Sequence, residues 1–106
     1  MAYTKKPVSQ VAVDRANRLR ELPLLKTLDA LGAFVKLDVS YEPAKNRDAR
    51  RYHVSVGGGD YELLIREAKW FDVRANKGGG GSIDLVMHLF TEPFGKALKR
   101  LDKLVS

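Results

Sequence analysis

The stretch Lys69-Trp70-Phe71-Asp72-Val73-Arg74-Ala75-Asn76-Lys77-Gly78-Gly79-Gly80-Gly81-Ser82-Ile83-Asp84-Leu85-Val86-Met87-His88-Leu89-Phe90 decides how this chain folds. Lys69–Val73 is short, aromatic and β-branched, and predicts a strand. The four glycines after Lys77 predict a loop, since glycine supplies backbone freedom and no side chain to pack. Ser82 is a suitable helix N-cap, and Asp84 places negative charge in the first turn, where the helix dipole favours it. Ile83, Val86, Met87 and Phe90 then recur on one helical face.

Working upstream, Tyr61–Arg66 and Tyr52–Val56 predict strands joined by a turn at Gly57-Gly58-Gly59-Asp60. Phe34–Tyr41 has apolar residues at 35, 37, 39 and 41, a period of two that predicts one buried face. Between them Glu42–Arg51 reads as an exposed loop carrying Lys45, Arg47, Arg50 and Arg51. Residues 1–7 read as a flexible tail ended by Pro7. Val8–Glu21 predicts a helix with Val8, Val11, Ala12, Ala16 and Leu19 on one side. Pro23 breaks it, and Leu24, Leu25, Leu28 and Leu31 form a second helix that stops at Gly32. Downstream, Thr91 is placed to cap a last helix with Pro93 in its first turn. There Phe94, Ala97, Leu98, Leu101, Leu104 and Val105 oppose Lys96, Lys99, Arg100 and Lys103. The order predicts a single α+β domain over 8–106: N-terminal helices, an antiparallel sheet of about four strands, and two C-terminal helices.

The chain has 106 residues, with 19 Lys and Arg against 13 Asp and Glu, a net charge of +6 that favours polyanionic partners, nucleic acid first. It has no cysteine, which excludes disulfides, thiolate zinc sites and cysteine nucleophiles. No apolar run approaches the roughly 20 residues of a membrane span, so no membrane partner and cytoplasmic residence are expected.

The glycine loop could bring amides to an anion at a helix N-terminus. Its spacing matches neither a dinucleotide fingerprint nor a Walker loop, and Asp84 would repel a phosphate. A tight turn packing helix on sheet explains it at least as well. His53 and His88 have no neighbouring ligand at metal spacing. Carboxylates are scattered, so no catalytic residue, metal or cofactor is expected. Aromatic residues on adjacent strands (Tyr52, Tyr61, Trp70, Phe71) lie among basic ones, a pattern that can stack bases and hold phosphates. Trp70 and Phe71 alternate, so one faces in and one out, and the sequence leaves open which. The candidate nucleic-acid contacts are Arg50, Arg51, Tyr52, Arg66, Lys69, Trp70, Arg74, Lys77, Gly79 and Gly80.

Trp70–Val73, the run Lys77–Met87 and the later Phe94-Gly95-Lys96-Ala97-Leu98 resemble the N-terminal zinc-ribbon domain of bacterial DNA primases. They resemble more closely its cysteine-less relatives in plasmid-borne Toprim and relaxase-associated proteins. Leu28-Asp29-Ala30-Leu31-Gly32 matches the family's opening helix. The resemblance spans roughly Leu22–Leu104, with about 20 residues carrying its specific part. The family's zinc ligands are missing, and its polymerising site belongs to a separate domain. The resemblance therefore implies a non-catalytic accessory module that holds template DNA, single-stranded DNA favoured, in replication or transfer of a plasmid or mobile element. The alternative is an adaptor that docks on a replication or conjugation protein without touching DNA. Self-association into a homo-oligomer stays open.

Overall fold

Gly57 and Gly58, with φ of 60° and 82°, close a two-residue hairpin of the kind that matches the natural strand twist. The hairpin joins β2 (Arg50–Val56) to β3 (Gly59–Arg66) with His53 opposite Glu62 and Val54 opposite Tyr61. The computed structural model describes residues 6–42 and 48–105. Around this hairpin lie α1 (Lys6–Arg20), α2 (Leu24–Ala30), β1 (Phe34–Leu37), β4 (Lys69–Asp72), β5 (Lys77–Gly80), α3 (Ser82–Phe90) and α4 (Phe94–Val105). The five strands form one antiparallel sheet in chain order, β1-β2-β3-β4-β5. The α+β class and the helices at both ends follow the sequence reading.

The fifth strand is the main difference. Lys77–Gly80 pairs with β4, Gly79 opposite Trp70 and Gly78 opposite Phe71. Glycine is depleted in strands because it has nothing to pack, so the predicted loop followed from composition. Here β4 supplies the ladder, and Phe71 packs over the bare backbone of Gly78, where an added Cβ would sit 3.0 Å from the Phe71 ring.

β1 is shorter than its apolar alternation predicts. It ends at Leu37 because the Asp38 carboxylate accepts from the Ser40 amide at 3.0 Å and from the Ser40 hydroxyl at 2.6 Å, which turns the chain. Val39 is left 87% exposed and Leu37 42% exposed, so the expected buried face at 37 and 39 does not form. Arg50 and Arg51, placed in a loop by the sequence, open β2. α1 begins at Lys6, two residues inside the tail expected over 1–7; residues 1–5, Lys45 and Arg47, and the Val8, Val11 and Ala12 side chains lie outside the described residues.

One face of the sheet carries the core. Val54, Val56, Leu63, Ile65 and Trp70 pack with Leu24 and Leu28 of α2 and Leu85 and Leu89 of α3. The other side of α3, Ile83 and Val86, meets Ala16 and Leu19 of α1 and Ala97 and Leu101 of α4. α3 is thus apolar nearly all round because it lies between two layers. α2 has only seven residues, too few to be stable alone. Burial of Leu24 and Leu28, about 2–3 kcal/mol each by area, holds it in place. Its end is fixed by Gly32, at φ 76°, whose amide bonds Asp29 while that of Ala33 bonds Leu28, both at 3.0 Å.

Two caps differ from expectation. Gly81, at φ 86°, occupies the N-cap of α3, and Ser82 is its first helical residue, fully buried. The Ser82 hydroxyl donates to the Leu19 carbonyl, tying the end of α1 to the start of α3. Thr91 closes α3 in a left-handed conformation at φ 52° instead of capping α4, which starts at Phe94.

Candidate nucleic-acid interface

Strand alternation puts Arg51, His53 and Ser55 of β2, Glu62, Leu64 and Arg66 of β3, and Lys69 and Phe71 of β4 on the sheet face away from the core. These residues are exposed or half-buried, and the helices pack against the opposite face. At its centre Leu64 stands opposite Phe71, and beside them Arg66 stands opposite Lys69.

The face has two electrostatic halves. Toward β1, Glu62 gathers nitrogen donors: His53 Nδ1 lies 2.6 Å and Arg51 Nε 3.2 Å from its carboxylate, with Arg74 3.8 Å away. The hydrogen bond with His53, followed by that from Arg51, holds the Glu62 carboxyl below the ordinary carboxylate range against the upward push of burial. A folded value below the unfolded one contributes stability above the ordinary carboxylate range, and the contribution is lost as pH falls through the folded value. Glu62→Gln should therefore narrow the gap between urea midpoints measured at neutral pH and near pH 3. An unchanged gap would show that Glu62 does not carry it.

Toward β5 the balance reverses. Arg66 and Lys69 form no ion pair with a described residue, although like charges directly opposite in a sheet repel. The buried Nε of Arg66 also has no hydrogen-bond acceptor among the described residues. An anion lying across β3 and β4 would offset the like-charge repulsion.

The ten candidate contacts divide. Arg51, Arg66, Lys69 and Arg74 share the uncovered face, with Arg74 Nη1 3.5 Å from the Asp60 carbonyl. Arg50 lies exposed at the start of β2, its guanidinium donating to the Ala49 carbonyl at 3.1 Å. Tyr52 faces the other way, packed against the core. Trp70 is a correction: it is 3% exposed and cannot stack on a base. Its ring lies 4.8 Å from that of His88, whose Nε2 is 2.7 Å from the Asp72 carboxylate. Phe71, 36% exposed, is the outward aromatic.

Lys77, Gly79 and Gly80 do not join that face as an anion cradle. The Gly80 amide donates to Asp84 Oδ2 at 2.9 Å, so the loop's own helix takes it. A Cβ on Gly79 would lie 2.0 Å from Asp84 Oδ2 and 2.6 Å from the Trp70 ring. Gly79 is therefore a close-packing residue. Lys77 lines a separate cleft of about 340 Å³ with Trp70, Asp84, Met87 and His88.

Sequence reasoning passed over Leu64 and Glu62. The two-residue turn at Glu67-Ala68 would have found Leu64, because it sets Ile65 opposite Trp70 and so Leu64 opposite Phe71. The chain has no cysteine, and no cluster of three or more His, Asp or Glu among the described residues could hold a metal ion. No described helix is long and apolar enough to cross a membrane. Comparisons with protein-family models, with curated proteins and with solved structures find no match for this chain.

Proposed function

We propose that the uncovered face of β3 and β4 binds nucleic acid, single-stranded DNA by preference, and that the domain is a non-catalytic accessory module. The observation that carries this reading is the cross-strand pair Arg66 and Lys69, two cations without an acidic partner among the described residues, beside the exposed ring of Phe71. An exposed ring beside free cations suits a single strand, whose bases are open to stacking and whose phosphates need charge. The excess of basic residues supports the same partner. The resemblance to cysteine-less primase zinc-ribbon relatives supports a place in replication or transfer of a mobile element.

The test is a titration of a labelled oligothymidylate and of a duplex of equal length. The native chain should bind the single strand more tightly and lose affinity steeply between about 50 and 200 mM salt. Phe71→Ala should weaken single-strand binding about tenfold or more, stacking being worth about 1–3 kcal/mol per base. Its salt slope should not change. Arg66→Gln with Lys69→Gln should lower the slope by about 1.4. Absence of binding at low salt overturns the reading.

A protein-adaptor role has one observation of its own. Phe34, 61% exposed, and Leu37 on the edge strand β1, with Val39 in the turn after it, leave apolar surface, where a partner strand or helix could dock. A chain that binds no oligonucleotide but loses a replication-protein contact on Phe34→Ser would favour it.

A further inference from the structure

The C-terminal helix carries a second charged surface remote from the sheet face. Lys96, Lys99, Arg100 and Lys103 fall within an arc of about 100° on α4. They line a shallow groove of about 500 Å³ with Glu92 and Leu104. Glu92 is the one acid there, and Arg100 takes it with two hydrogen bonds of 2.9 and 2.7 Å. That pairing holds the Glu92 carboxyl below the ordinary range, and the same guanidinium lies 4.0 Å from the Phe90 ring centroid. Arg100 is thus held in place. Lys96, Lys99 and Lys103 are exposed and form no salt bridge with a described residue, although the Lys96 charge also helps to hold the Glu92 carboxyl down.

From this geometry we infer that Lys96, Lys99 and Lys103 form a second phosphate-contacting surface, which takes the sugar–phosphate backbone of a nucleic acid. The inference rests on the nucleic-acid reading above and adds a site to it. Lys96 to Lys103 spans about 10 Å of helix, the rise of about three phosphates along one strand of a duplex. Lysine is a compact point charge suited to such sequence-independent contact. An anionic membrane is the competing occupant of a basic amphipathic helix, but insertion needs a free apolar face. On α4 that face is only partly free: Ala97 and Leu101 are fully buried against α1 and α3, while Phe94, Leu104 and Val105 stay exposed toward the two ends of the helix. An elongated strand or a duplex end held on α4 while the sheet face stacks single-stranded bases would make this a junction-binding domain.

The experiment compares the native chain, the triple variant Lys96→Gln/Lys99→Gln/Lys103→Gln and Phe71→Ala, each checked by thermal melting. The probe is a labelled oligonucleotide with a duplex segment and a single-stranded tail. The triple variant should bind at least tenfold more weakly, with a salt slope shallower by about two or more. Phe71→Ala should lose affinity at unchanged slope. If the triple variant keeps native affinity and slope while Phe71→Ala is weakened, the α4 surface is overturned and the sheet reading stands. If only the triple variant is weakened, the α4 surface stands and the sheet reading falls. If the native chain binds no oligonucleotide, both fall. Vesicles of phosphatidylcholine with one quarter phosphatidylserine form the last arm. Vesicle binding lost in the triple variant, with oligonucleotide binding untouched, assigns α4 to lipid and overturns the inference.

Discussion

Gly79→Ala is expected to destabilise the fold by about 3 kcal/mol, while Gly80→Ala, one residue away, changes stability by less than about 0.5 kcal/mol. A Cβ at Gly79 would overlap the Asp84 carboxylate at 2.0 Å and the Trp70 ring at 2.6 Å. The carboxylate is the end of a short side chain and can move, at the expense of its 2.9 Å bond to the Gly80 amide. The indole, 3% exposed and packed with Ile65 and Leu85, cannot. At Gly80 the nearest atom to an added Cβ is the Ala68 carbonyl oxygen at 3.9 Å, an ordinary contact. For a chain of this size 3 kcal/mol lowers the melting temperature by about 12–24 °C. Adding Asp84→Ala should recover part of the loss, so the two changes would be less than additive. Equal melting temperatures for Gly79→Ala and Gly80→Ala would show that the glycines serve only as a flexible loop.

Asp72→Ala is expected to cost about 3 kcal/mol, read as a lower urea midpoint at unchanged slope. Asp72 is 3% exposed and one of only three buried polar or charged residues described. One oxygen lies 2.7 Å from His88 Nε2 and the other accepts from the Ala75 amide at 3.1 Å. Truncation leaves the imidazole, stacked on Trp70, and the Ala75 amide without their acceptor. A buried donor stripped of its partner costs more than the bond itself contributed. Asp72→Asn keeps an acceptor oxygen for one of the two and should lose less. Equal midpoints for Asp72→Ala and the native chain would mean that water replaces the carboxylate and the pair holds nothing.

Legibility in the sequence followed the physical signals available. Pro23 and Gly32 bounded α2 because one lacks an amide and the other adopts φ 76°. Gly57-Gly58 marked the central hairpin for the same kind of reason. β5 was hidden because a strand of glycines has no side-chain period; only its pairing with β4 reveals it. β1 failed from the opposite cause. Val39 continued the alternation on paper, but Asp38 bonded its local backbone and turned the chain before tertiary packing reached that residue. At the site, the basic residues of β3 and β4 were legible as types. The choice between Trp70 and Phe71 required the hairpin register, which buries the larger ring against α3. The repulsive Arg66–Lys69 juxtaposition also needed that register. The α4 lysines were legible as a stripe from the start, since helical spacing alone places them together.

The central claim is that the uncovered face of β3 and β4 is the ligand surface. Backbone amide chemical shifts, followed while oligothymidylate is titrated into isotopically labelled native chain, test it most directly. The account predicts the largest changes at Leu64, Arg66, Lys69, Phe71 and Gly78, while the Trp70 indole resonance stays near its free position. Shifts that leave these five amides unmoved while others respond, or no shifts at low salt, would contradict it.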